Sequence, residues 1–369
     1  MEEAKKTSPT TASGSQGPGG PSRLVERVVS RPGAPHGEAL AQGAAPPPQA
    51  KKASDLGQRL GTAVILLPLI IYLMIKGGVP WMIFVVCVIG LGSIEFAYLM
   101  EAKGLVPARR LGIPAAMALG VLAQGSNEYF VTLLLTATIL LLLVRQLGRK
   151  DISSAITATS VTIFGVIYVG WLGAHLILLR NLGSEIAEKY LRVKGLPVAA
   201  GFEDIGCFFL FLAVAATFLA DTGGYFAGRA FGKHKLAPTI SPKKTWEGLA
   251  GSLVFSALGA LVVKAVFERH YAGRPYAADL PYLHCVILGA LAALFGVAGD
   301  LAESLLKRDA RVKDASGFLP GHGGFLDRLD SLNFVVPISY YYIKIYYYLQ
   351  LTAEPSRDVW KLLQRYGIG

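Results

Sequence analysis

The chain has 369 residues, of which 53% are hydrophobic and only 17% are charged, whereas ordinary soluble domains have roughly 45–50% and about 25%. This composition excludes an ordinary soluble domain and indicates that lipid surrounds much of the chain. The net charge of +11 does not call for a nucleic-acid partner, because basic residues gather in the cytoplasmic loops of membrane proteins and meet anionic head groups. We therefore predict an all-α, polytopic transmembrane protein that binds no nucleic acid.

Three regions follow one another along the chain. Residues 1–57 are rich in Pro, Gly, Ala, Ser and Gln and lack apolar periodicity, which predicts a disordered N-terminal tail. Residues 58–351 contain repeated apolar runs long enough to cross a bilayer as helices, and residues 352–369 are predicted to be a short C-terminal tail. The first apolar run has no small-residue cleavage site after it, so we expect a retained span and not a signal peptide.

About nine spans are predicted, and the distribution of basic residues orients them. The loops between spans on the side of the N-terminus hold more than twice as many Lys and Arg residues as the loops on the other side. Positive charge marks cytoplasmic loops, so the N-terminus and the two longest polar loops, 223–247 and 301–330, are predicted to be cytoplasmic. The predicted spans cover roughly residues 60–76, 79–100, 110–124, 128–146, 155–179, 205–222, 248–267, 282–300 and 331–351.

The second long loop begins with a charged helical stripe. Asp300, Glu303, Ser304 and Lys307 are spaced i, i+3, i+4 and i+7, which places them on one face of a helix. Such a face is usually solvated surface, but this one starts inside an apolar run.

The stretch "KDASGFLPGHGGFLDRLDS" follows, and its glycines and proline favour tight turns whose amides can approach a phosphate. Asp327 and Asp330 then begin another helix. Two carboxylates from different helix ends, such as Asp300 and Asp327, are the oxygen ligands that a hard cation prefers. Magnesium held in this way usually binds phosphates as well, so we predict a Mg²⁺ site there.

The first long loop supplies cations and hydroxyl groups. Lys243 and Lys244 lie between Ser241 and Thr245, just before a predicted helix that begins near Trp246. A helix N-terminus adds partial positive charge, so this segment is a candidate cradle for a triphosphate. The Walker-type motif GxxxxGK[ST] is absent from the sequence, which argues against a P-loop nucleotidase.

Two further acidic residues lie in or near apolar runs. Asp221 reaches the cytoplasmic mouth of its predicted span, next to the lysine-rich loop. Glu95, in "GSIEFAYLM", is either an interfacial residue or a wall of the site. Both are costly in lipid unless they face a partner, a cavity or water.

The stretch from Ser304 to Asp330 resembles the signature of the phosphatidate cytidylyltransferases, also called CDP-diglyceride synthases. The segments "DTGGYFAGRAFGKHK" and "SPKKTWEG" are also similar to segments of that family, and the similarity spans roughly residues 58–350. The positions of the signature that this chain fills are Ser304, Lys307, Arg308, Lys313, Asp314, Pro320, His322, Gly323, Gly324, Asp327, Arg328 and Asp330.

The resemblance implies a Mg²⁺-dependent transferase that joins CTP and phosphatidate into CDP-diacylglycerol and diphosphate. It implies that Asp300 and Asp327 are the metal-binding pair. The nucleotide-binding stretch is then Ser241, Lys243, Lys244, Thr245 and Glu247, with Asp221 nearby. A homodimer in the inner (plasma) membrane of the cell also fits the family.

The remaining charged residues of the signature receive less definite roles. Lys307, Arg308 and Arg328 are expected to contact the lipid phosphate or the departing diphosphate. The reaction requires no proton transfer, so it gives no reason to prefer a catalytic role for His322. This residue either shapes the site or takes part in catalysis. Asp330 is expected either to orient Arg328 or to bind a second cation.

Two other functions stay open from the sequence. An ion-coupled transporter would also explain many spans and intramembrane aspartates, although its charges should lie near the bilayer midplane. A different CTP-using lipid enzyme, such as a polyprenol kinase, is the nearer alternative. The motif of the CDP-alcohol phosphotransferases, DGxxAR followed by GxxxDxxxD, is absent from the sequence.

Overall fold

The computed structural model of the protein describes residues 64, 66–125, 127–148, 153–188, 204–270, 280–312 and 324–352. The predicted N-terminal tail, His322 and nearly all of the predicted C-terminal tail lie outside these residues. Within them the chain is almost entirely helical, as the composition predicted.

The secondary structure of the described residues consists of eleven α-helices, one π-helical segment and one hairpin. In chain order these are α1 (Leu66–Lys76), α2 (Gly78–Ala102), α3 (Arg109–Ala123), α4 (Glu128–Leu147), α5 (Ala155–Gly165), a π-helical segment (Val166–Trp171), α6 (Leu172–Ile186), α7 (Ile205–Phe231), β1 (Lys235–Ala237), β2 (Ser241–Thr245), α8 (Trp246–His270), α9 (Tyr282–Asp309), α10 (Leu326–Leu329) and α11 (Leu332–Thr352).

Six helical stretches of the described residues are long and apolar enough to cross a membrane: α2, α4, α5 to α6 taken together, α7, α8 and α9. The protein is therefore a multi-pass membrane protein. The other three predicted spans correspond to α1, α3 and α11. The described part of α1 and the whole of α3 are shorter than about 20 residues, the length that a spanning helix needs. A total of nine spans thus remains a prediction.

One boundary predicted from the sequence was wrong. Helix α7 was expected to give way to a loop at residue 223 but continues to Phe231. The predicted loop 223–247 is therefore much shorter, and it contains the antiparallel β1–β2 hairpin. Asp221 lies within a helix and does not end one. Helix α9 extends past its predicted span to Asp309, as the helical stripe from Asp300 to Lys307 predicted.

Small residues bring α7, α8 and α9 close together. An added Cβ at Gly224 would lie 2.5 Å from Ser252 Oγ, and one at Gly251 would collide with Ala227. Ser256 Oγ lies within hydrogen-bond distance of the carbonyl oxygens of Ala216 (2.9 Å) and Gly289 (2.7 Å), so its single O–H can donate to either. Close backbone contact and hydrogen bonds between helices stabilise helix pairs in lipid, where apolar burial gives little.

The apolar core lies among α2, α6, α7 and α11, and its fully buried side chains include Ile89, Leu179, Phe208 and Ile343. Helix α4 lies outside this core, and only 17% of its apolar 18-residue stretch is buried. Its exposed leucines and valines are expected to face lipid.

One buried polar cluster joins α6 to α11. Lys344 Nζ lies 2.8 Å from Glu185 Oε1, and Tyr340 donates its hydroxyl to Glu185 Oε2 at 2.7 Å. Lys344 also donates to Tyr340 Oη at 3.1 Å. The buried charges compensate each other, as a buried ion pair must.

Candidate functional site

A cavity of about 580 Å³ lies where α7, α8, α9 and the hairpin meet. This volume is within the range of small-molecule sites, about 300–1,000 Å³. Five side chains of acidic or basic residues line it: Asp221, Arg229, Lys243, Lys244 and Asp300. The remaining lining residues are Gly224, Tyr225, Gly228, Leu236, Ser241, Thr245, Gly248, Leu249, Ser252 and Val297.

The hairpin and α8 carry the basic side of the cavity. Strand β2 comprises Ser241 to Thr245, so the two lysines of "SPKKT" reach the cavity from it. Thr245 is buried, and its Oγ1 accepts a hydrogen bond from the Gly248 N–H at 3.1 Å. Because a side-chain oxygen that bonds to the third helical N–H fixes the start of a helix, Thr245 holds the hairpin to α8.

Asp221, Tyr225 and Arg229 form the α7 side of the cavity. They are spaced i, i+4 and i+8, so the continuous helix places them on one face. Tyr225 and Arg229 were not predicted as site residues, because both fall in the predicted loop 223–247. The i, i+4 spacing in "DTGGYFAGR" was the signal that could have found them.

Glu247 is placed differently from the other residues of the predicted nucleotide-binding stretch. Its carboxylate accepts hydrogen bonds from the backbone N–H groups of Lys233 (3.1 Å) and His234 (3.3 Å), and the His234 Nδ1 lies 2.6 Å away. Glu247 does not line the cavity among the described residues. In this structure it fixes the segment that leads into β1.

A cluster of three carboxyl groups borders the cavity. One oxygen each from Asp300, Glu303 and Asp330 lie within 4.8 Å of one another. Asp300 and Glu303 are one turn apart on α9, and Asp330 comes from the turn between α10 and α11. We call these three residues the acidic cluster. Glu303 belongs to the predicted i, i+3 stripe, but the predicted metal ligands were Asp300 and Asp327.

Asp300 belongs to both the cavity and the acidic cluster. Its Oδ2 lies 2.6 Å from Lys244 Nζ, and its Oδ1 is 3.4 Å from the Ser304 hydroxyl. The two long loops predicted to carry the site therefore converge on one carboxylate.

Asp327 lies beside the acidic cluster and is held by other groups. Its Oδ1 is 2.9 Å from Lys307 Nζ, and its Oδ2 accepts the Gly324 N–H at 2.8 Å. Lys307 also lies 2.8 Å from Glu303 Oε2. Burial opposes ionisation of Asp327, but hydrogen bonds with Glu303, Gly324 and Lys307 hold its pKa below the usual range.

The carboxyl groups of the acidic cluster are crowded, although Lys244 and Lys307 pair with two of them. Burial, and then the negative charge of Asp300, raise the pKa of Asp330 to about 7. The buried Oε1 of Glu303 has no hydrogen-bond partner within the described residues. Crowded carboxylates with a spare oxygen form a donor set suited to a hard divalent cation such as Mg²⁺.

The sequence left open whether Glu95 lies at the membrane interface or in a wall of the site. In the structure it lies in a buried wall of this region. It is 2% exposed, and its Oε2 accepts the Leu326 N–H at 2.8 Å. An added Cβ at Gly324 would lie 2.6 Å from the same oxygen. Glu95 of α2 thus anchors the segment that carries Asp327.

The structure brings most of the predicted site residues together. Asp221, Ser241, Lys243, Lys244, Thr245 and Asp300 line the cavity, and Lys307, Asp327 and Asp330 lie at or beside the acidic cluster. Arg308 and Arg328 are exposed and do not line the cavity. His322 lies outside the described residues.

Residues 57–346 match the model of the cytidylyltransferase family. The chain is 32% identical over 310 residues to a protein of Bacillus subtilis named phosphatidate cytidylyltransferase, an alignment that covers 79% of this chain and 99% of that protein.

Two further relatives carry the same name. The protein of Pseudomonas aeruginosa is 33% identical over 301 residues, which cover 77% of this chain and 95% of the relative. The protein of Haemophilus influenzae is 45% identical over 138 residues, which cover 37% of this chain and 46% of the relative. The family match spans the part of the chain that holds the cavity and the acidic cluster.

Proposed function

Because the chain belongs to the cytidylyltransferase family, we propose that it is a phosphatidate cytidylyltransferase, which joins CTP and phosphatidate into CDP-diacylglycerol and diphosphate. The observation that carries this proposal is the position of Asp300, which connects a basic cavity to an acidic cluster. Such a site can hold a polyphosphate and a divalent cation side by side.

The proposed reaction is a substitution at phosphorus. An oxygen of the phosphatidate phosphate attacks the α-phosphorus of CTP and forms a new P–O bond. The bond from that phosphorus to the oxygen bridging to the β-phosphate breaks, and diphosphate leaves with that oxygen. The lipid phosphate is already largely ionised at pH 7, since its second pKa is about 6, so no general base is needed.

Repulsion between two anions is the main obstacle to this reaction. Lys243 and Arg229 in the cavity are proposed to neutralise the negative charge of the triphosphate. Lys244 is proposed to do the same while it keeps its ion pair with Asp300. Holding both phosphates in line supplies much of the remaining acceleration. Arg308 and Arg328, exposed near the acidic cluster, stay predicted contacts of the lipid phosphate or of diphosphate.

The acidic cluster is the proposed site of Mg²⁺. Asp300, Glu303 and Asp330 would hold the ion, which when bound offsets the phosphate charge in the transition state. Asp327, held by Lys307 and Gly324, is proposed to keep α10 against α9. The metal pair Asp300 and Asp327 that the family resemblance implies therefore stays a prediction, as do the second cation and the role of His322.

The location of the protein follows from the same chemistry. Phosphatidate keeps its acyl chains in the bilayer while CTP arrives from water, so the site must open to both. We propose that the protein lies in the bacterial inner membrane with its N-terminus and its site in the cytoplasm, where CTP is made. The excess of positive charge on that side supports this orientation. The homodimer remains a prediction, for native mass spectrometry of the detergent-solubilised protein to test.

The experiment that tests the activity uses purified protein in detergent with Mg²⁺, phosphatidate and CTP radiolabelled at either the α- or the γ-phosphate. Label from the α-phosphate is expected to enter the lipid phase only when phosphatidate is present. Label from the γ-phosphate should remain in water as diphosphate. A protein that transfers neither label to phosphatidate would contradict the proposal.

The same experiment separates the alternatives. A polyprenol kinase would carry the γ-label to a polyprenol and leave the α-label in water. An ion-coupled transporter would move neither label into lipid. The charged residues of the proposed site lie near one end of α9, which ends at Asp309, and this position favours an enzyme at the membrane surface.

A further inference from the structure

Tyr168 has a buried hydroxyl group that no hydrogen bond explains. The residue is 4% exposed, and its hydroxyl oxygen has no partner among the residues that the structure describes. Burying a hydroxyl without a partner costs free energy. Buried polar groups are otherwise nearly always bonded, so this exception requires a reason.

Tyr168 lies among the elements that carry the acidic cluster. It packs in one apolar cluster with Leu306 of α9 and Leu326 of α10, and the three carboxyl groups of the acidic cluster act electrostatically on its hydroxyl. Glu303 Oε1 of that cluster is also buried and lacks a partner within the described part of the chain. A neutral donor beside three carboxyl groups is well placed to bond whatever occupies the space between them.

The backbone around Tyr168 is unusual and is firmly held. Tyr168 lies in the π-helical segment Val166–Trp171, and single π turns inside helices occur frequently at functional sites. Buried Asn333 of α11 donates its Nδ2–H to the Tyr168 carbonyl at 3.2 Å. The Tyr168 ring stacks on Phe164 with centroids 5.4 Å apart and planes 5° apart.

These contacts fix the ring and leave only the hydroxyl without a role in packing. Phe164 stacks on the ring and Asn333 holds the backbone, and neither forms a hydrogen bond with the hydroxyl. A phenylalanine would pack equally well at this position, so packing does not account for the oxygen.

We propose that the Tyr168 hydroxyl belongs to the cation site, where it forms a hydrogen bond with a water molecule carried by the ion. Mg²⁺ in proteins usually keeps several of its waters, and outer groups that bond the ligands of a metal strengthen its binding. Tyr168 is thus a positioning residue. The inference rests on the proposed function, because it places the cation of that site in the acidic cluster.

The test compares Tyr168→Phe with the unchanged protein in detergent. Binding of Mn²⁺, a probe for Mg²⁺, is measured by electron paramagnetic resonance without substrates. Loss of a bonded outer group is expected to weaken Mn²⁺ binding about 10–100-fold. The melting temperature in EDTA should stay the same or rise, because the variant removes a buried hydroxyl that has no partner.

Tyr340→Phe is the matched control. Its hydroxyl donates to Glu185 at 2.7 Å and accepts from Lys344 at 3.1 Å, away from the acidic cluster. This variant should melt at a lower temperature and bind Mn²⁺ as tightly as the unchanged protein. The two tyrosines are therefore expected to give opposite patterns.

Two outcomes would overturn the inference. One is a Tyr168→Phe variant with unchanged Mn²⁺ affinity. The other is a Tyr168→Phe variant that unfolds or melts lower in EDTA, as Tyr340→Phe should, because the hydroxyl would then be structural. Failure of the proposed function is a separate result, in which the unchanged protein binds Mn²⁺ but transfers no α-label to phosphatidate.

Discussion

Lys243 and Lys244 are neighbours in sequence with different surroundings. Lys244 Nζ is bonded to Asp300 at 2.6 Å, whereas Lys243 is exposed and lines the cavity. Lys243 can therefore meet a nucleotide without giving up a strong ion pair. We infer that Lys243 acts mainly on CTP and that Lys244 acts on both CTP and the acidic cluster.

The variant Lys243→Ala tests this division. It should raise the CTP concentration for half-maximal rate about tenfold, the equivalent of about 1.4 kcal/mol, and should change the dependence on phosphatidate much less. Lys235→Ala is the control, since Lys235 is an exposed residue of the same hairpin and does not line the cavity. An unchanged CTP dependence in Lys243→Ala would argue against the basic cavity as the nucleotide site.

Glu95 allows a second test on a single side chain. Glu95→Ala leaves the buried N–H of Leu326 without this acceptor, which should cost about 1–3 kcal/mol of stability and displace the segment that carries Asp327. We expect a lower melting temperature and a lower rate of CDP-lipid formation. Glu95→Gln should recover part of both, because its amide oxygen can accept the same hydrogen bond.

Glu101→Ala provides the control for Glu95. Glu101 is an exposed carboxylate near the end of the same helix and is bonded to Arg109, so its loss should change neither quantity. The assigned anchor role would be wrong if Glu95→Ala melted and turned over like the unchanged protein.

Several of these residues could be predicted from the sequence, for a physical reason. Aspartates and lysines are costly in an apolar chain, so their presence at Asp300, Asp327 and Lys243 already indicated a site. Glu303 and Tyr168 are different. Two of their properties depend on contacts between helices that are distant in sequence: whether Glu303 faces solvent or a cation site, and whether the Tyr168 hydroxyl is hydrogen-bonded. The local spacing of residues does not predict such contacts.

The long helices α7 and α8 owe their contact to glycine. The segment "DTGGYFAGRAF" indicated a loop, because glycine and aspartate disfavour helices in water. Within a membrane protein the same glycines let two backbones approach closely. The helix therefore continues to Phe231, and this extension brings Tyr225 and Arg229 to the cavity. The boundary could not be found without knowing what packs on α7.

Gly251→Ala tests this packing. The added methyl group would collide with Ala227 and lie 2.7 Å from the Gly223 carbonyl oxygen, which should cost about 1–3 kcal/mol by overpacking. The variant should melt at a lower temperature. It should also use CTP less well, because α7 and α8 both line the cavity.

Gly148→Ala is the matched control for Gly251→Ala. The nearest atom to its added methyl group would be the Arg145 carbonyl oxygen at 3.9 Å, so little change is expected. A Gly251→Ala protein as stable as this control would show that close contact between α7 and α8 is not required.

Across the whole protein, composition and hydropathy predicted the class of fold well. Apolar runs of spanning length must become helices in lipid, because no other open structure satisfies the backbone hydrogen bonds there. The number of spans was harder to predict from the sequence. Some apolar runs, such as that of α3 with 15 residues, form helices shorter than about 20 residues, the length that a spanning helix needs. Apolar runs alone therefore do not fix how many helices cross the membrane.

The convergence of two distant loops on Asp300 is the property on which the proposed function depends. The site combines residues of α7, the hairpin and α8 with residues of α9 and α10. It therefore depends on the fold of the whole protein and not on any single element. The signature from Ser304 to Asp330 indicated one half of this site, and the lysine-rich loop indicated the other. Only the fold shows that both halves share a carboxylate.

Transfer of α-labelled cytidylyl groups to phosphatidate by Asp300→Asn, compared with Asp309→Asn, tests this claim most directly. Both variants replace a carboxylate of α9, but Asp309 is exposed and bonded to Lys103. We predict that Asp300→Asn loses activity on the order of 100-fold or more while it remains folded, and that Asp309→Asn keeps full activity. An Asp300→Asn enzyme that works at nearly the rate of Asp309→Asn would contradict the account.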